Sequence, residues 1–257
     1  MTLHQSRDTG RTPDAARPEI ANGVPDWGYS RRPWLARYAP WGLGALLLLA
    51  GLLGVDRWFY ESVSLRLNTE NPLDRDFYQI TKPFWLLCRM YSHVAGGMVV
   101  YFALVAFHKR GLRYANAALV GVLTAALLVN VAQGAIGRLR PNTGDSQWAF
   151  AEPLEGLTQG MPSGFPSGEA ATAFAMAVTL SRAWPRGGRW FYALAFLASL
   201  ARVLPGMHYL TDVVVGAMTG TVLTRLFFDV GFRLHGQLEE RILRLRTAVR
   251  ITACPDD

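Results

Sequence analysis

Charge is scarce in this chain. Asp, Glu, Lys and Arg make up 18% of the residues against 51% apolar, the opposite of the balance that keeps a chain disordered. Cys88 and Cys254 are the two cysteines. They stand far apart and without metal-ligand spacing, which excludes a disulfide scaffold and a zinc or iron–sulfur site. Lysine is almost missing: of 26 basic residues only Lys82 and Lys109 are lysines. Neither a G-x-G-x-x-G turn nor a P-loop occurs, so no nucleotide fingerprint is present. No apolar stretch with a cleavage site opens the sequence, and no signal peptide is expected.

What is present is apolar and unevenly placed. Over 257 residues the mean hydropathy is only +0.14, because residues 1–40 and 229–257 are polar and the middle is not. Six segments approach the roughly 20 apolar helical residues that cross a bilayer: about Trp41–Tyr60, Tyr91–Phe107, Ala115–Gly137, Ser167–Ser181, Trp190–Leu204 and Asp212–Phe228. The expected fold is therefore all-α, a polytopic membrane protein with six transmembrane helices over residues 41–228. A flexible tail (1–40) precedes it, and a tail (229–257) follows. In that second tail Leu234–Val249 reads either as an amphipathic helix on the membrane surface or as a solvated helix. Trp34, Trp41, Trp58, Phe59, Tyr60, Trp148, Trp184 and Trp190 fall near span ends, as interfacial aromatic belts do.

With both termini in the cytoplasm, the inner pieces hold 18 basic and 9 acidic residues and the outer pieces 8 and 10. The positive-inside rule selects that orientation. The basic balance is then explained as topology, and no nucleic-acid partner is expected. The expected location is the inner cell membrane.

Charge counting alone places Arg140, Glu169, Arg202, His208 and Asp212 at span ends on one outer face. Ionisable groups at membrane depth are costly and usually functional. Two arginines supply planar, multi-donor cations suited to phosphate. Pro166–Ser167–Gly168 opens a helix, whose N-terminus is a second anion site. His208 and Asp212, four apart, share a helical face, and a carboxylate on one imidazole nitrogen leaves the other basic and nucleophilic.

At these residues the sequence resembles the type 2 phosphatidic acid phosphatase (PAP2) superfamily of membrane lipid phosphatases and vanadium haloperoxidases. That family's pattern is K-x6-R-P, P-S-G-H and S-R-x5-H-x3-D. Here stand Gln133-x6-Arg140-Pro141, Pro166–Ser167–Gly168–Glu169 and Ala201–Arg202-x5-His208-x3-Asp212. The resemblance covers about residues 85–228 and implies a PAP2-type helical bundle. It implies His208 as nucleophile through a phosphohistidine and Asp212 as its orienter. Arg140, Arg202, Ser167 and Gly168 would bind phosphate, with no metal and no cofactor.

Three positions depart from the pattern. Gln133 replaces the lysine, and two turns from Arg140 it can reach the site as a neutral donor. Arg138 points away on an ideal helix and is a poor substitute for that lysine. Ala201 replaces a serine. Glu169 replaces the histidine that protonates the leaving oxygen. Apolar surroundings would favour its neutral acid, able to serve as general acid, whereas the arginines would favour its anion. Either it donates the proton or it merely pairs with Arg140 or Arg202 in a dead site.

His93 and Asn130 read as packing groups, and Gly96–Gly97 and Gly216/Gly220 as close helix contacts. Pro162–Ser163–Gly164 reads as loop, and Glu152 and Glu155 as solvated. The implied activity is hydrolysis of a lipid phosphomonoester or pyrophosphate at the outer face. A lipid phosphotransferase and a catalytically silent lipid-phosphate-binding relative are the alternatives. The implied partners are a membrane lipid and the bilayer, and oligomeric state is not encoded in any of these features.

Overall fold

The computed structural model describes residues 34–65, 72–143, 146–152 and 163–253. Most of the N-terminal tail, Glu155, Pro162 and Cys254 lie outside these residues. The described residues are helical, joined by short connections: α1 (Trp34–Ala50), α2 (Asp56–Phe59), α3 (Pro72–Ser92), α4 (Val94–Phe107), α5 (Gly111–Ile136), α6 (Gly168–Ala183), α7 (Gly188–Val203) and α8 (Leu210–Ala253). The all-α expectation holds.

Among the described residues two helices are long and apolar enough to cross a membrane, Gly111–Ile136 and the Leu210–Arg246 part of α8. The pair Asp76–Ser92 and Val94–Phe107, bent by 63° at His93, makes a third if counted as one span. The expected six are thus not all distinct. The segment expected as the first span breaks after Ala50, where wide helical turns begin and Gly54 takes φ 101°, a left-handed conformation that favours glycine. α6 and α7 have 16 residues each, about 24 Å of helix at 1.5 Å per residue. α3 replaces an expected outer loop. α8 does not stop near Phe228. It continues for 44 residues, about 66 Å, roughly twice a bilayer core, and absorbs the stretch expected as a separate tail helix.

The interior is built from small residues. Ala170, Ala171, Ala173, Ala175 and Ala177 of α6 are fully buried, so α6 is the central helix, packed by α5, α7 and α8. Close approach is obligatory at two glycines of α8: a Cβ on Gly216 would lie 2.3 Å from the Ser167 carbonyl oxygen, and one on Gly220 2.0 Å from that of Ala171. Gly216 and Gly220 are therefore packing residues, as expected. Large side chains such as Phe102, Leu123, Leu127, Phe196 and Leu226 face outward. Small residues within and large apolar ones without is the arrangement of helices that associate in lipid.

Candidate active site

The site forms where four chain segments end at the same side of the bundle. α5 stops at Gly137, whose φ of 65° makes the left-handed cap. The chain then runs extended, pairing Arg138 with Phe150 and Leu139 with Ser163. α6 starts under Ser167, which caps it by accepting the Ala170 N–H at 3.4 Å. The Ser167 N–H donates to the Asp212 carbonyl at 2.9 Å, so the starts of α6 and α8 are tied together. α7 carries Arg202 in its last turn, and a tight turn through Gly206 (φ 70°) leads the chain to His208.

His208 is buried, and its Nδ1 lies 2.8 Å from the Gly164 carbonyl oxygen. A carbonyl only accepts, so Nδ1 carries the hydrogen. In the neutral ring Nε2 is then the free lone pair, the state a nucleophile needs. The sequence reading gave this orienting role to Asp212. Its Oδ2 stands 3.8 Å from Nδ1, too far for a hydrogen bond, and takes the Tyr209 N–H at 2.8 Å instead. The other oxygen, Oδ1, receives Arg138 Nη1 at 2.7 Å. Asp212 therefore faces the imidazole as a nearby charge, and the direct hydrogen bond belongs to Gly164. That glycine closes the dismissed Pro162–Ser163–Gly164 repeat. Its N–H donates to the Arg138 carbonyl at 2.7 Å, and a Cβ there would press on Asp212 Oδ2 at 3.1 Å and Arg140 Cγ at 3.4 Å.

Glu169, the first side chain inside α6 after Gly168, meets two cations. Its Oε2 lies 3.0 Å from Arg202 Nε and 3.4 Å from Arg89 Nε. The pairing with Arg202 is one of the two expected partnerships; Arg89, on α3, was not foreseen. Arg140 stands against Gly164, and its charge, like that of Arg89, acts on Arg202. The enclosed Nε atoms of Arg89, Arg140 and Arg202 all lack an aligned hydrogen-bond partner. Gln133 does not offer its donor to this space: its Nε2 donates to the Pro166 carbonyl at 2.8 Å and braces the loop before α6. Ala201 is buried beside Arg202 in sequence and brings no hydroxyl.

Behind Asp212 lies a network that the sequence reading missed. Arg138 is not on a helix at all. It sits between Asp212 and Asp56, with Nη2 2.9 Å from Asp56 Oδ2, and its Nε donates to the Gln147 carbonyl at 3.0 Å. The Thr211 N–H donates to Asp56 Oδ1 at 3.0 Å, and its hydroxyl donates to Asp56 Oδ2. The available signal was Asp56 itself, a lone carboxylate inside an apolar run.

Residues 114–235 match the family model of the PAP2 superfamily. Among curated proteins, the chain is 31% identical over 147 residues to the lipid A 4'-phosphatase of Bacteroides thetaiotaomicron, covering 55% of this chain and 64% of that protein. It is 32% identical over 111 residues to the lipid A 1-phosphatase of Rhizobium johnstonii, with 42% of this chain and 45% of that protein covered. The lipid A 1-phosphatase of Rhizobium etli is 33% identical over 100 residues, 38% of this chain and 42% of that protein. The chain thus spans less than two thirds of the length of the curated relatives it matches. No solved structure matches it.

Proposed function

We propose that this protein is a membrane phosphatase that hydrolyses a lipid phosphomonoester or pyrophosphate through a phosphohistidine. The observation that carries the reading is the Nδ1–H bond of His208 to Gly164, which leaves Nε2 its lone pair; Arg140 stands against the same glycine, and the Nε atoms of Arg89, Arg140 and Arg202 lack aligned partners. Nε2 attacks phosphorus, and the bond from phosphorus to the lipid oxygen breaks. Arg140, Arg202, the hydroxyl of Ser167 and the free N–H groups opening α6 at Gly168 hold the phosphate oxygens. The phosphate takes over the guanidinium groups that Glu169 now holds. A carboxyl left beside an anion binds a proton, which Glu169 gives to the departing oxygen and recovers from the attacking water when the phosphorus–nitrogen bond is hydrolysed. The substrate class follows from the outward-facing apolar helices and from relatives named for lipid A. Six spans in the inner cell membrane, both termini cytoplasmic and the site facing outward complete the proposal.

The test is phosphate release by the purified protein from a panel of lipid phosphates, without added metal, from pH ~4 to 9, beside His208→Ala. Release that His208→Ala abolishes is the expected result; release that survives it refutes the histidine mechanism. Glu169→Gln should lose more activity on poor leaving groups than on good ones, and equal loss removes Glu169 as the acid. The Glu169–Arg202 pairing favours one second reading, a silent protein that binds lipid phosphates. Binding without release from any lipid, equal in wild type and His208→Ala, would select it.

A further inference from the structure

We infer that Arg89 is the third phosphate-binding cation of this site, supplied by α3 where the family's lysine position carries neutral Gln133. The inference rests on the function proposed above and assigns a binding residue outside the family's motif. Gln133 brings no charge to that position, and its Nε2 donates to the Pro166 carbonyl. Arg89 enters from a different helix and reaches Glu169. Its Nε and that of Arg202 converge on one oxygen of Glu169, at 3.4 and 3.0 Å. Two guanidinium groups set against a single carboxylate oxygen mark where an anion's oxygen sits.

The pairing with Glu169 does not satisfy them. Both Nε–H groups are enclosed, and neither is aligned on the carboxylate; Arg140 Nε is in the same condition. Buried donors are ordinarily hydrogen-bonded. Arg89 and Arg202 press on one oxygen of this carboxylate while the charge of Arg140 acts on Arg202, and their guanidinium groups carry more donors than two oxygens accept, whereas a phosphate brings three terminal oxygens and more charge. Arg89 is also the accessible member. Its side chain is 41% exposed against 7% for Arg202, so it can meet a headgroup arriving from outside before the buried arginines do. α3 lies against α7 and α6, and this fixes Arg89 to the site through packing rather than through a mobile loop.

The experiment uses the full chain in detergent. Inorganic phosphate is the probe, its affinity read from the shift in thermal unfolding, and lipid-phosphate turnover is measured alongside. Arg89→Ala should weaken phosphate binding about tenfold or more, the loss of one charge-assisted hydrogen bond. Arg89→Gln, neutral and of similar length, should do the same if the alanine variant does not fold, and Arg89→Lys should retain part of the affinity. The loss should persist when Arg89→Ala is placed in Glu169→Gln. Wild-type affinity in folded Arg89→Ala or Arg89→Gln overturns the inference. So does a loss that vanishes in Glu169→Gln, since Arg89 would then serve only its neighbour. The two readings fail separately. Intact phosphate affinity in Arg89→Ala, with lipid turnover still abolished by His208→Ala, refutes Arg89 alone. Weakened phosphate binding in Arg89→Ala, with no turnover of any lipid by wild type, refutes the phosphatase and leaves the binding residue.

Discussion

Removing Asp56 tests the architecture behind His208. Asp56, Arg138 and Asp212 are 1%, 7% and 0% exposed, so water cannot replace a lost partner. Asp56→Ala deletes three accepted hydrogen bonds, from Arg138 Nη2, the Thr211 N–H and the Thr211 hydroxyl. Each stranded donor costs about 1–3 kcal/mol, and breaking a buried ion pair from one side costs about 3–5 kcal/mol. The two figures describe the same event and are not summed. Charge tempers the loss, because Arg138 keeps Asp212 and the remaining pair is balanced. A destabilisation of about 3 kcal/mol, the low end of that range, is expected. Arg138→Ala should cost more, because it leaves two buried carboxylates facing each other with no cation between them. Thermal and denaturant unfolding in one detergent, with phosphate release measured in parallel, provides the assay. Equal stability of wild type and Asp56→Ala, or an Asp56→Ala loss exceeding that of Arg138→Ala, would refute this charge accounting.

Gly216→Ala and Gly220→Ala push a methyl against backbone oxygens at 2.3 and 2.0 Å. α6 and α8 must part, and each variant should lose about 1–3 kcal/mol or more; an unchanged unfolding midpoint would contradict the packing. His108, in the turn between α4 and α5, predicts a pH effect. Burial pushes its imidazole below the ordinary value, with Arg110 acting in the same direction and the bond to the Ala183 backbone opposing. Its Nδ1 accepts the Arg110 N–H at 3.1 Å, a bond that protonation destroys. A base depressed by folding costs nothing above its unfolded value of about 6.5 and destabilises as pH falls below it. The decline in stability between pH ~7.5 and ~5.5 should be shallower in His108→Phe; an unchanged slope assigns the effect elsewhere. Asp212→Asn should lower kcat with little change in phosphate affinity, whereas Arg202→Ala should weaken both; equal weakening of phosphate binding by the two variants would contradict the separation of roles.

The site was legible where it is local in sequence. Arg140, Ser167, Gly168, Arg202, His208 and Asp212 sit at helix ends that apolar runs and a helix-opening Pro-Ser-Gly already mark. What was missed depends on chain crossing between distant segments. Asp56 reaches Thr211 over 155 positions and Arg138 over 82, and no periodicity reports such a meeting. Arg138 was placed by extending α5 too far. Gly137 ends that helix in the left-handed region, so the geometry of an ideal helix did not apply to the residue after it. Gly164 reads as loop in the sequence, yet it meets His208 through its carbonyl, which no side-chain pattern encodes. The six expected spans are not all separate long apolar helices among the described residues for a related reason. Apolar runs register burial in lipid and burial in protein alike, and α6, the most enclosed helix, is lined with alanine rather than with the long residues that face a bilayer.

The placement of charge gives the two sides of His208 different work. On one side Arg89 and Arg202 stand against the Glu169 carboxylate and the charge of Arg140 acts on Arg202, an excess of cation that in the proposed mechanism draws in a phosphate and spreads its charge. On the other, one guanidinium lies between two carboxylates, an excess of anion set behind the ring. A neutral imidazole gains nothing from that excess. In the proposed mechanism, once Nε2 has taken a phosphoryl group while Nδ1 keeps its hydrogen on Gly164, the ring is cationic, and the negative charge 3.8 Å away stabilises it. The long Asp212–His208 separation then suits an electrostatic role, in which the carbonyl of Gly164 aims the ring and the carboxylate answers only the charge that appears during the reaction. Asp56 and Arg138 hold that carboxylate still, so the field it exerts is in place before the substrate arrives.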